Sequence, residues 1–268
     1  MKYRLVALDL DGTVVNRDGA IIPGAREAVQ RLLAHGLRVT LATGRMYRPT
    51  NRFAEELNIS EPLICHQGAL VRESGDGAVL WHMPLPALLA RRVIAEIRKE
   101  GVHQYVYIDG AIYVEERRED DIRYARQNGA ELRLVDDLTV LAERQPTEIA
   151  ARGEAAEIDL LVARIRVCCG PEVIVNKIHS SFCEIAHAGS GKGNALKCLA
   201  ERLGIPQSQT VAIGDSPNDV SMLEWAGLGI AVGDAPAEVR ASADWVIDHG
   251  VEHSFFEAIA QLLAHSQL

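Results

Sequence analysis

The chain has 268 residues, of which 24% are charged and 48% are hydrophobic, a composition typical of soluble globular proteins. Its 28 lysines and arginines against 37 aspartates and glutamates give a formal net charge of −9, which argues against wholesale binding to nucleic acid or to an anionic membrane. No apolar run approaches the roughly 18 residues of a membrane-spanning helix, and the first apolar stretch stops at Asp9, too early for a secretory signal. We therefore expect a cytoplasmic protein.

Short apolar runs alternate with amphipathic stretches at both ends of the chain, a pattern typical of βαβ units and a parallel sheet. The elements predicted in the first part are a strand over 3–8, a helix opened by Pro23 and closed by Gly36, a strand over 37–42, a helix over 48–57 and a strand over 62–65. Those predicted in the last part are a helix over 193–203, a strand over 210–213, a helix over 219–226, a strand over 228–232 and a helix over 254–264.

The middle of the chain has a different pattern, which begins near Pro84 and Pro86. Two apolar runs joined by Asp109-Gly110 predict a β-hairpin. The other elements predicted here are helices over 87–99 and 154–167 and strands over 147–151, 172–175 and 182–185. Hairpins mixed with helices predict an α+β insert within a parallel α/β core. We therefore predict a Rossmann-like core over 1–83 and 188–268 and an inserted domain over 84–187.

Two aspartates follow the first predicted strand directly, in the segment Asp9-Leu-Asp-Gly-Thr13. Ligands bind beyond the carboxyl ends of strands in open parallel sheets, so Asp9 and Asp11 are expected to face a site. Paired carboxylates can bind one cation, or divide the roles of nucleophile and proton carrier. The alternative is a simple turn, because Asp-Gly is also favourable turn chemistry.

A second acidic cluster, Gly214-Asp-Ser-Pro-Asn-Asp219, follows another predicted strand. Oxygen ligands without nearby histidine or cysteine suit a hard cation such as Mg²⁺. Asp219 or Ser216 could equally cap a helix that Pro217 begins. Capping does not explain why acidic clusters end two separate strands, so we predict a metal site that includes Asp215.

Two further segments could hold phosphate. Thr43 and Gly44 follow a predicted strand, where a hydroxyl and free backbone N–H groups can surround phosphate oxygens, although the segment could also be an ordinary turn. Lys192 lies between two glycines before a helix, and taken alone it is more often a solvated lysine than a phosphate ligand. Carboxylates, a hydroxyl and a lysine at strand or helix boundaries together fit phosphoryl transfer.

With these segments in order, the chain resembles the haloacid dehalogenase superfamily, and within it the Cof-type phosphatases, over essentially its whole length. The resemblance rests on Asp9-Leu-Asp-Gly-Thr13, Thr43-Gly-Arg45, Lys192-Gly-Asn-Ala-Leu196 and Gly214-Asp-Ser-Pro-Asn-Asp219 followed by Met222-Leu223. It implies a Mg²⁺-dependent phosphatase of small phosphorylated metabolites whose α+β cap selects the substrate.

The resemblance also implies a role for each matching residue. Asp9 would be the nucleophile, Asp11 the general acid/base, and Thr43 and Lys192 the ligands of the phosphoryl group, with Gly44 beside them. Mg²⁺ would be bound by Asp215, the Asp9 carboxylate and the Asp11 backbone carbonyl. Asn218 would orient the phosphate and Asp219 would support the metal site.

One segment departs from the family pattern. Relatives often have Asn-Gly after the third core strand, where this chain has His66-Gln67-Gly68, and the longer glutamine leaves the substrate contacts there open. Two other functions remain as alternatives. A phosphomutase would return the aspartyl phosphate to the substrate, and a non-catalytic phospho-ligand sensor would have lost Asp9 or Asp11, which are both present.

Overall fold

The structure is a computed structural model that describes residues 2–16, 18–248 and 250–265. The chain divides into two compact units. The first unit is formed by the chain up to Trp81 and from Gly191 onward, and the second unit is His82–Ser190. Within the described residues, no helix combines the length and the apolar character needed to cross a membrane.

The strands, numbered in chain order, are β1 (Leu5–Leu8), β2 (Arg38–Leu41), β3 (Leu63–Cys65), β4 (Leu70–Arg72), β5 (Val79–His82), β6 (His103–Ile108), β7 (Ala111–Val114), β8 (Glu131–Leu134), β9 (Glu148–Arg152), β10 (Val173–His179), β11 (Phe182–His187), β12 (Thr210–Gly214), β13 (Leu228–Val232) and β14 (Trp245–Ile247). The α-helices are α1 (Ala25–Ala34), α2 (Tyr47–Leu57), α3 (Ala87–Glu100), α4 (Glu119–Gln127), α5 (Ala155–Cys169), α6 (Lys192–Arg202), α7 (Val220–Trp225), α8 (Ala237–Ala241) and α9 (Val251–His265). Short 3₁₀ helices occur at His66–Gly68, Leu138–Arg144, Gly170–Glu172, Gln207–Gln209 and Pro217–Asp219.

A parallel sheet in the order β14-β13-β12-β1-β2 forms the centre of the first unit. Both faces of β1 are buried, because Val6 and Leu8 belong to one hydrophobic cluster and Leu5 and Ala7 to another. Residues of α1 and α9 belong to the first cluster, and residues of α6 and α7 to the second. Burial on both faces explains why the sequence of β1 is a continuous apolar run, and β1 is an interior strand that pairs with β12 and β2.

The short strand β3 extends the same parallel direction, because Ala42 after β2 forms a parallel bridge with Ile64. It belongs to a separate sheet in the order β3-β4-β5, in which β3 and β4 are antiparallel. The 3₁₀ turn His66–Gly68 joins β3 to β4, and both His66 and Gln67 have positive φ there, 50° and 54°. This turn places Gln67, the residue that departs from the family pattern, next to the end of the core sheet.

The second unit contains a six-stranded sheet in the order β10-β11-β9-β6-β7-β8. The pairings are antiparallel except for β7 with β8. One face carries apolar side chains such as Val106, Ile149 and Ile185, which share a hydrophobic cluster with residues of α3 and α5. The predicted hairpin is present, with Asp109 and Gly110 both at positive φ between β6 and β7, the backbone that a two-residue hairpin turn requires.

The predicted fold class, a parallel α/β core with an inserted α+β segment, is confirmed. The sequence patterns missed several elements that are either short or rich in charged residues: β4, β5, β8, β14, α4 and α8. The helix predicted over 219–226 instead begins as a 3₁₀ turn at Pro217–Asp219 and continues as α7. That difference affects the site, because the turn carries Asp219, one of its acidic side chains.

Candidate active site

Asp9 lies just beyond the carboxyl end of β1, and its side chain is buried. Its backbone N–H donates to the carbonyl of Ile213 on β12 at 2.8 Å, which extends the parallel ladder. Its Oδ1 accepts a hydrogen bond from Lys192 Nζ at 2.5 Å. The other oxygen, Oδ2, is buried and meets no hydrogen-bond donor among the described residues. Leaving a buried carboxylate oxygen without a partner costs free energy, so Asp9 is suited to an added cation.

Lys192 is the first residue of α6, and only 1% of its side chain is exposed. Its ammonium group also donates to Asp219 Oδ1 at 2.6 Å. Burial alone would lower the pKa of Lys192, but the carboxylates of Asp219 and Asp9 outweigh that effect and raise the pKa above its ordinary value. Lys192 therefore remains a cation that links the ends of two strands.

The loop after β12 fixes its carboxylates through its own backbone. Asp219 Oδ2 accepts hydrogen bonds from the backbone N–H groups of Asp215 and Ser216, at 3.1 and 2.9 Å. Asp215 Oδ1 accepts from the hydroxyl of Thr13 at 2.9 Å, which ties this loop to the segment that holds Asp9. The capping function expected as an alternative is therefore present as well, because Ser216 and Asp219 form a capping box.

Asp9, Asp215 and Asp219 each offer an oxygen within 4.8 Å of the others. The pKa values of Asp9 and Asp215 are both raised, mainly by burial and next by the neighbouring carboxylate of Asp219. Lys192 acts in the opposite direction, but the pKa of Asp9 still lies well above its ordinary value. An all-oxygen donor set with a surplus of negative charge fits a hard divalent cation such as Mg²⁺. The buried, unsatisfied Oδ2 of Asp9 supports the same conclusion.

The side chain of Asp11 lies outside this group. Both of its oxygens accept hydrogen bonds from the guanidinium of Arg45, from Nε at 2.8 Å and from a terminal nitrogen at 2.5 Å. The glycine that follows Asp11 is required by its surroundings, because Gly12 has φ +92° and a Cβ there would lie 2.4 Å from Asp215 Oδ2. The Asp-Gly pair is thus both a turn and a close approach to the acidic loop after β12.

Thr43 and Gly44 follow β2 and form the next side of the site. Thr43 is 1% exposed, and its hydroxyl accepts a hydrogen bond from the backbone N–H of Arg45 at 3.2 Å. A Cβ at Gly44 would lie 2.1 Å from Gln67 Nε2, so a larger residue there would displace the Gln67 amide from its present position. Gln67 Oε1 in turn accepts from Asn218 Nδ2 at 2.9 Å, while Asn218 Oδ1 is buried and accepts from no described group.

The structure thus brings together Asp9, Lys192, Asp215 and Asp219, and it connects Asn218 to Gly44 through Gln67. The sequence patterns assigned no role to Arg45 or Thr13, although both lie in the quoted motifs. They marked Gln67 only as a departure from the family. The roles of the individual side chains in a reaction remain predictions.

Comparison with known proteins identifies the class to which this fold and site belong. The family of haloacid dehalogenase-like hydrolases matches residues 6–259. The chain belongs to this family, as its four motifs predicted.

Particular relatives agree over nearly the full length. The chain is 29% identical to pyridoxal phosphate phosphatase YbhA of Escherichia coli, over 97% of this chain and 98% of that protein. It is 27% identical to phosphatase YwpJ of Bacillus subtilis, over 93% of this chain and 98% of that one. Among solved structures, a haloacid dehalogenase-like hydrolase from Bacteroides thetaiotaomicron is 25% identical and superposes with a TM-score of 0.85, covering 97% of this chain and all 100% of that one. The prediction of an enzyme of the phosphatase class is confirmed.

Proposed function

We propose that this chain is a Mg²⁺-dependent phosphatase that hydrolyses small phosphorylated metabolites, such as sugar phosphates, through an aspartyl phosphate on Asp9. The observation that supports this most directly is the pair of contacts made by Lys192, whose buried ammonium binds one oxygen of Asp9 and one of Asp219. It holds Asp9 Oδ1 in place, and the second oxygen of that carboxylate remains without a donor among the described groups.

Asp9 must be ionised to attack phosphorus, and its surroundings oppose ionisation. Burial and the carboxylates of Asp219 and Asp215 raise its pKa, and Lys192 acts in the opposite direction. One lysine beside three carboxylates does not balance the charge. Asp9, Asp215 and Asp219, with the backbone carbonyl of Asp11, would hold Mg²⁺. When bound, the ion supplies the positive charge that offsets the carboxylates and the phosphate dianion.

Other groups would bind the phosphoryl oxygens. The Thr43 hydroxyl and the backbone beside Gly44 offer donors without charge, and Lys192 offers a charged donor. Asn218 uses one hydrogen of its amide on Gln67, so a second N–H of the same amide could orient the phosphate. Together these groups would fix the phosphorus in line with Asp9.

The two chemical steps balance with Asp11 as the proton carrier. In the first step an Asp9 oxygen bonds to phosphorus while the bond from phosphorus to the leaving oxygen breaks, and Asp11 supplies the proton for that oxygen. In the second step Asp11 accepts a proton from water as the water oxygen attacks phosphorus. The Asp9–phosphorus bond then breaks, which releases inorganic phosphate and restores the Asp9 carboxylate.

We further propose that the second unit is the cap that selects the substrate, with domain boundaries near those predicted at 83/84 and 187/188. Candidate contacts on it are Tyr105, Arg117, Arg118, Arg123, His179 and Ser181, each of which is more often a packing or solvated residue. Tyr105 is fully buried and its hydroxyl donates to Asp121 Oδ1 at 2.7 Å, which favours a structural role for it. The relative named for pyridoxal phosphate adds that compound to the substrates to test.

The experiment measures phosphate release from a panel of sugar phosphates, nucleotides and pyridoxal phosphate, with Mg²⁺ and with a chelator. Asp9→Asn serves as the variant that cannot form the aspartyl phosphate. Asp76→Asn is the matched control, because Asp76 is 80% exposed and its positive φ of 62° is one that asparagine tolerates well.

We expect metal-dependent release from the wild type and from Asp76→Asn, and none from Asp9→Asn. Conversion of a substrate without free phosphate would indicate a phosphomutase. Binding without any turnover would indicate a sensor, and either result would overturn the proposal.

A further inference from the structure

The ion pair between Asp11 and Arg45 uses every acceptor atom of the Asp11 carboxylate. The two nitrogens of Arg45 approach the two oxygens of Asp11 at 2.8 and 2.5 Å, the parallel arrangement of a bidentate pair. In this arrangement neither oxygen points freely toward a substrate. The proposed proton carrier is therefore held in a position from which it has to move before it can serve a leaving group.

Arg45 itself is anchored beside the segment proposed to bind phosphate. Its backbone N–H donates to the Thr43 hydroxyl at 3.2 Å, and its carbonyl accepts from the N–H of His66 at 3.0 Å. Its guanidinium lies over the ring of Phe53 on α2, 5.1 Å from the ring centre. The backbone of Arg45 is thus fixed from two sides, while its long side chain reaches Asp11 from there.

The ion pair is accessible and can exchange partners. The side chains of Arg45 and Asp11 are 30% and 50% exposed, and ion pairs exposed to water contribute little to stability. A guanidinium binds phosphate oxygens in the same two-pronged geometry as a carboxylate. An incoming phosphoryl group can therefore compete with Asp11 for Arg45.

We propose that Arg45 is a positioning residue that exchanges the Asp11 carboxylate for oxygens of the phosphoryl group when substrate binds. In the free enzyme the guanidinium holds Asp11 away from the reacting atoms. After the exchange Arg45 contacts the phosphoryl group, and Asp11 is free to turn toward the leaving oxygen. This inference rests on the proposed phosphatase function, and it adds one residue that couples phosphate binding to the release of the proton carrier.

The test uses Arg45→Ala, which leaves space for a small cation, and Arg45→Lys, which keeps the charge without the two-pronged group. Arg52→Ala is the matched control, because Arg52 is exposed on the same helix as Phe53. Binding of inorganic phosphate in the presence of Mg²⁺ is measured by calorimetry, and steady-state kinetics give KM and kcat with and without added guanidinium ion. Thermal melting confirms that each variant folds.

We expect Arg45→Ala to weaken phosphate binding and to raise KM by about tenfold or more, the loss of a charge-assisted bidentate contact. Added guanidinium should restore a substantial part of the phosphate affinity and of the KM in Arg45→Ala, but it should change neither quantity in Arg52→Ala. Arg45→Lys should recover less than guanidinium does, because an ammonium cannot bind two oxygens in one plane. Equal behaviour of Arg45→Ala and Arg52→Ala would overturn the exchange.

A double-mutant comparison separates positioning of Asp11 from simple phosphate binding. If Arg45 acts through Asp11, its effect on kcat should shrink when Asp11 is already asparagine, whereas independent roles would give multiplied losses. Failure of the proposed function is distinguishable. An inactive wild type whose phosphate binding still depends on Arg45 would refute the phosphatase, and an active enzyme with unchanged phosphate binding in Arg45→Ala would refute only the exchange.

Discussion

The two units bury ionisable side chains in opposite ways. In the first unit the buried carboxylates of Asp9 and Asp219 share the ammonium of Lys192. In the second unit Glu148 on β9 is 1% exposed, and it is hydrogen-bonded to another carboxyl group, that of Glu184 on β11. Burial raises the pKa of Glu148 to about 8. The first arrangement preserves charge where chemistry can use it, and the second suppresses charge by retaining a proton.

The same contrast appears in the groups around each pair. The first unit's site includes donors with a permanent charge, Lys192 and Arg45. Beside Glu148 in the second unit lie Tyr107, its register partner on β6, and Tyr124, whose hydroxyls are 2.9 Å apart. Burial raises the pKa of both tyrosines, so they stay neutral at physiological pH. The comparison predicts that the first unit loses most stability when the cation of Lys192 is removed. It predicts that the second unit loses stability when Glu148 gives up its proton at high pH.

The largest effect is expected from Lys192→Met. Two buried carboxylates would lose their shared cation, and uncompensated buried charge typically costs about 3–5 kcal/mol. Phosphatase activity should fall below detection at the same time. Denaturant unfolding at pH 7 measures the stability, with Lys177→Met as the control because that ammonium, 35% exposed, pairs with Asp159 at the surface. If Lys192→Met lowers the free energy of unfolding by no more than the control does, about 1 kcal/mol, the result would contradict the pairing of Lys192 with Asp9 and Asp219.

A smaller effect, of opposite sign, is expected from Glu148→Gln at alkaline pH. The wild-type carboxyl keeps its proton to about pH 8 when folded but loses it near its ordinary 4.5 when unfolded. The folded state therefore binds more protons in this window, and stability falls as pH rises from about 5 to 8, by up to about 4 kcal/mol. Glutamine cannot ionise, so the variant should lose this dependence and be more stable than wild type at pH 8.

Unfolding midpoints at pH 5 and pH 8 test this prediction. Arg152, which faces the ring of Tyr124, is unchanged in the variant. Because Glu184 is hydrogen-bonded to Glu148, the difference from wild type reports the titration of this carboxyl pair. Glu116→Gln serves as the control, because Glu116 is 68% exposed and pairs with Arg118 at the surface. The same pH dependence in wild type and Glu148→Gln would show that the buried carboxyl is ionised when folded.

The contrast also marks what the sequence could predict. Asp9, Asp215 and Asp219 each follow a strand of a parallel sheet, and such strands bring their carboxyl ends to one edge whatever their order. Lys192 could be placed only by its motif. The pairs of Asp11 with Arg45 and of Gln67 with Asn218 join residues 34 and 151 positions apart, and they depend on side-chain reach that no local pattern contains.

The second unit was harder to predict for a related reason. Glu148 and Glu184 meet because β9 and β11 are neighbours, and the order of strands in an antiparallel sheet does not follow from periodicity. The helix α4 was missed because Glu119–Gln127 has few apolar residues, although its Asp121 accepts hydrogen bonds from Tyr105 and from His103, at 2.7 and 3.0 Å. Buried polar contacts of Asp121 join the ring contacts of Tyr124 with Tyr105 and Phe182 in packing that helix against the sheet.

The smallest effect is expected from Gln67→Asn, which restores the residue that relatives often have. Asparagine suits the positive φ of 54° better than glutamine, so the backbone should gain slightly. Its shorter side chain, however, withdraws the acceptor from Asn218, which costs about 1 kcal/mol, or roughly fivefold in kcat/KM. Gln145→Asn is the matched control, because Gln145 is an exposed glutamine with φ of 52°. Gln145→Asn should stabilise the chain slightly, Gln67→Asn should be less stable than that control because of the lost hydrogen bond, and only Gln67→Asn should slow turnover. Equal turnover in the two variants would mean that Gln67 shapes the backbone turn without orienting Asn218.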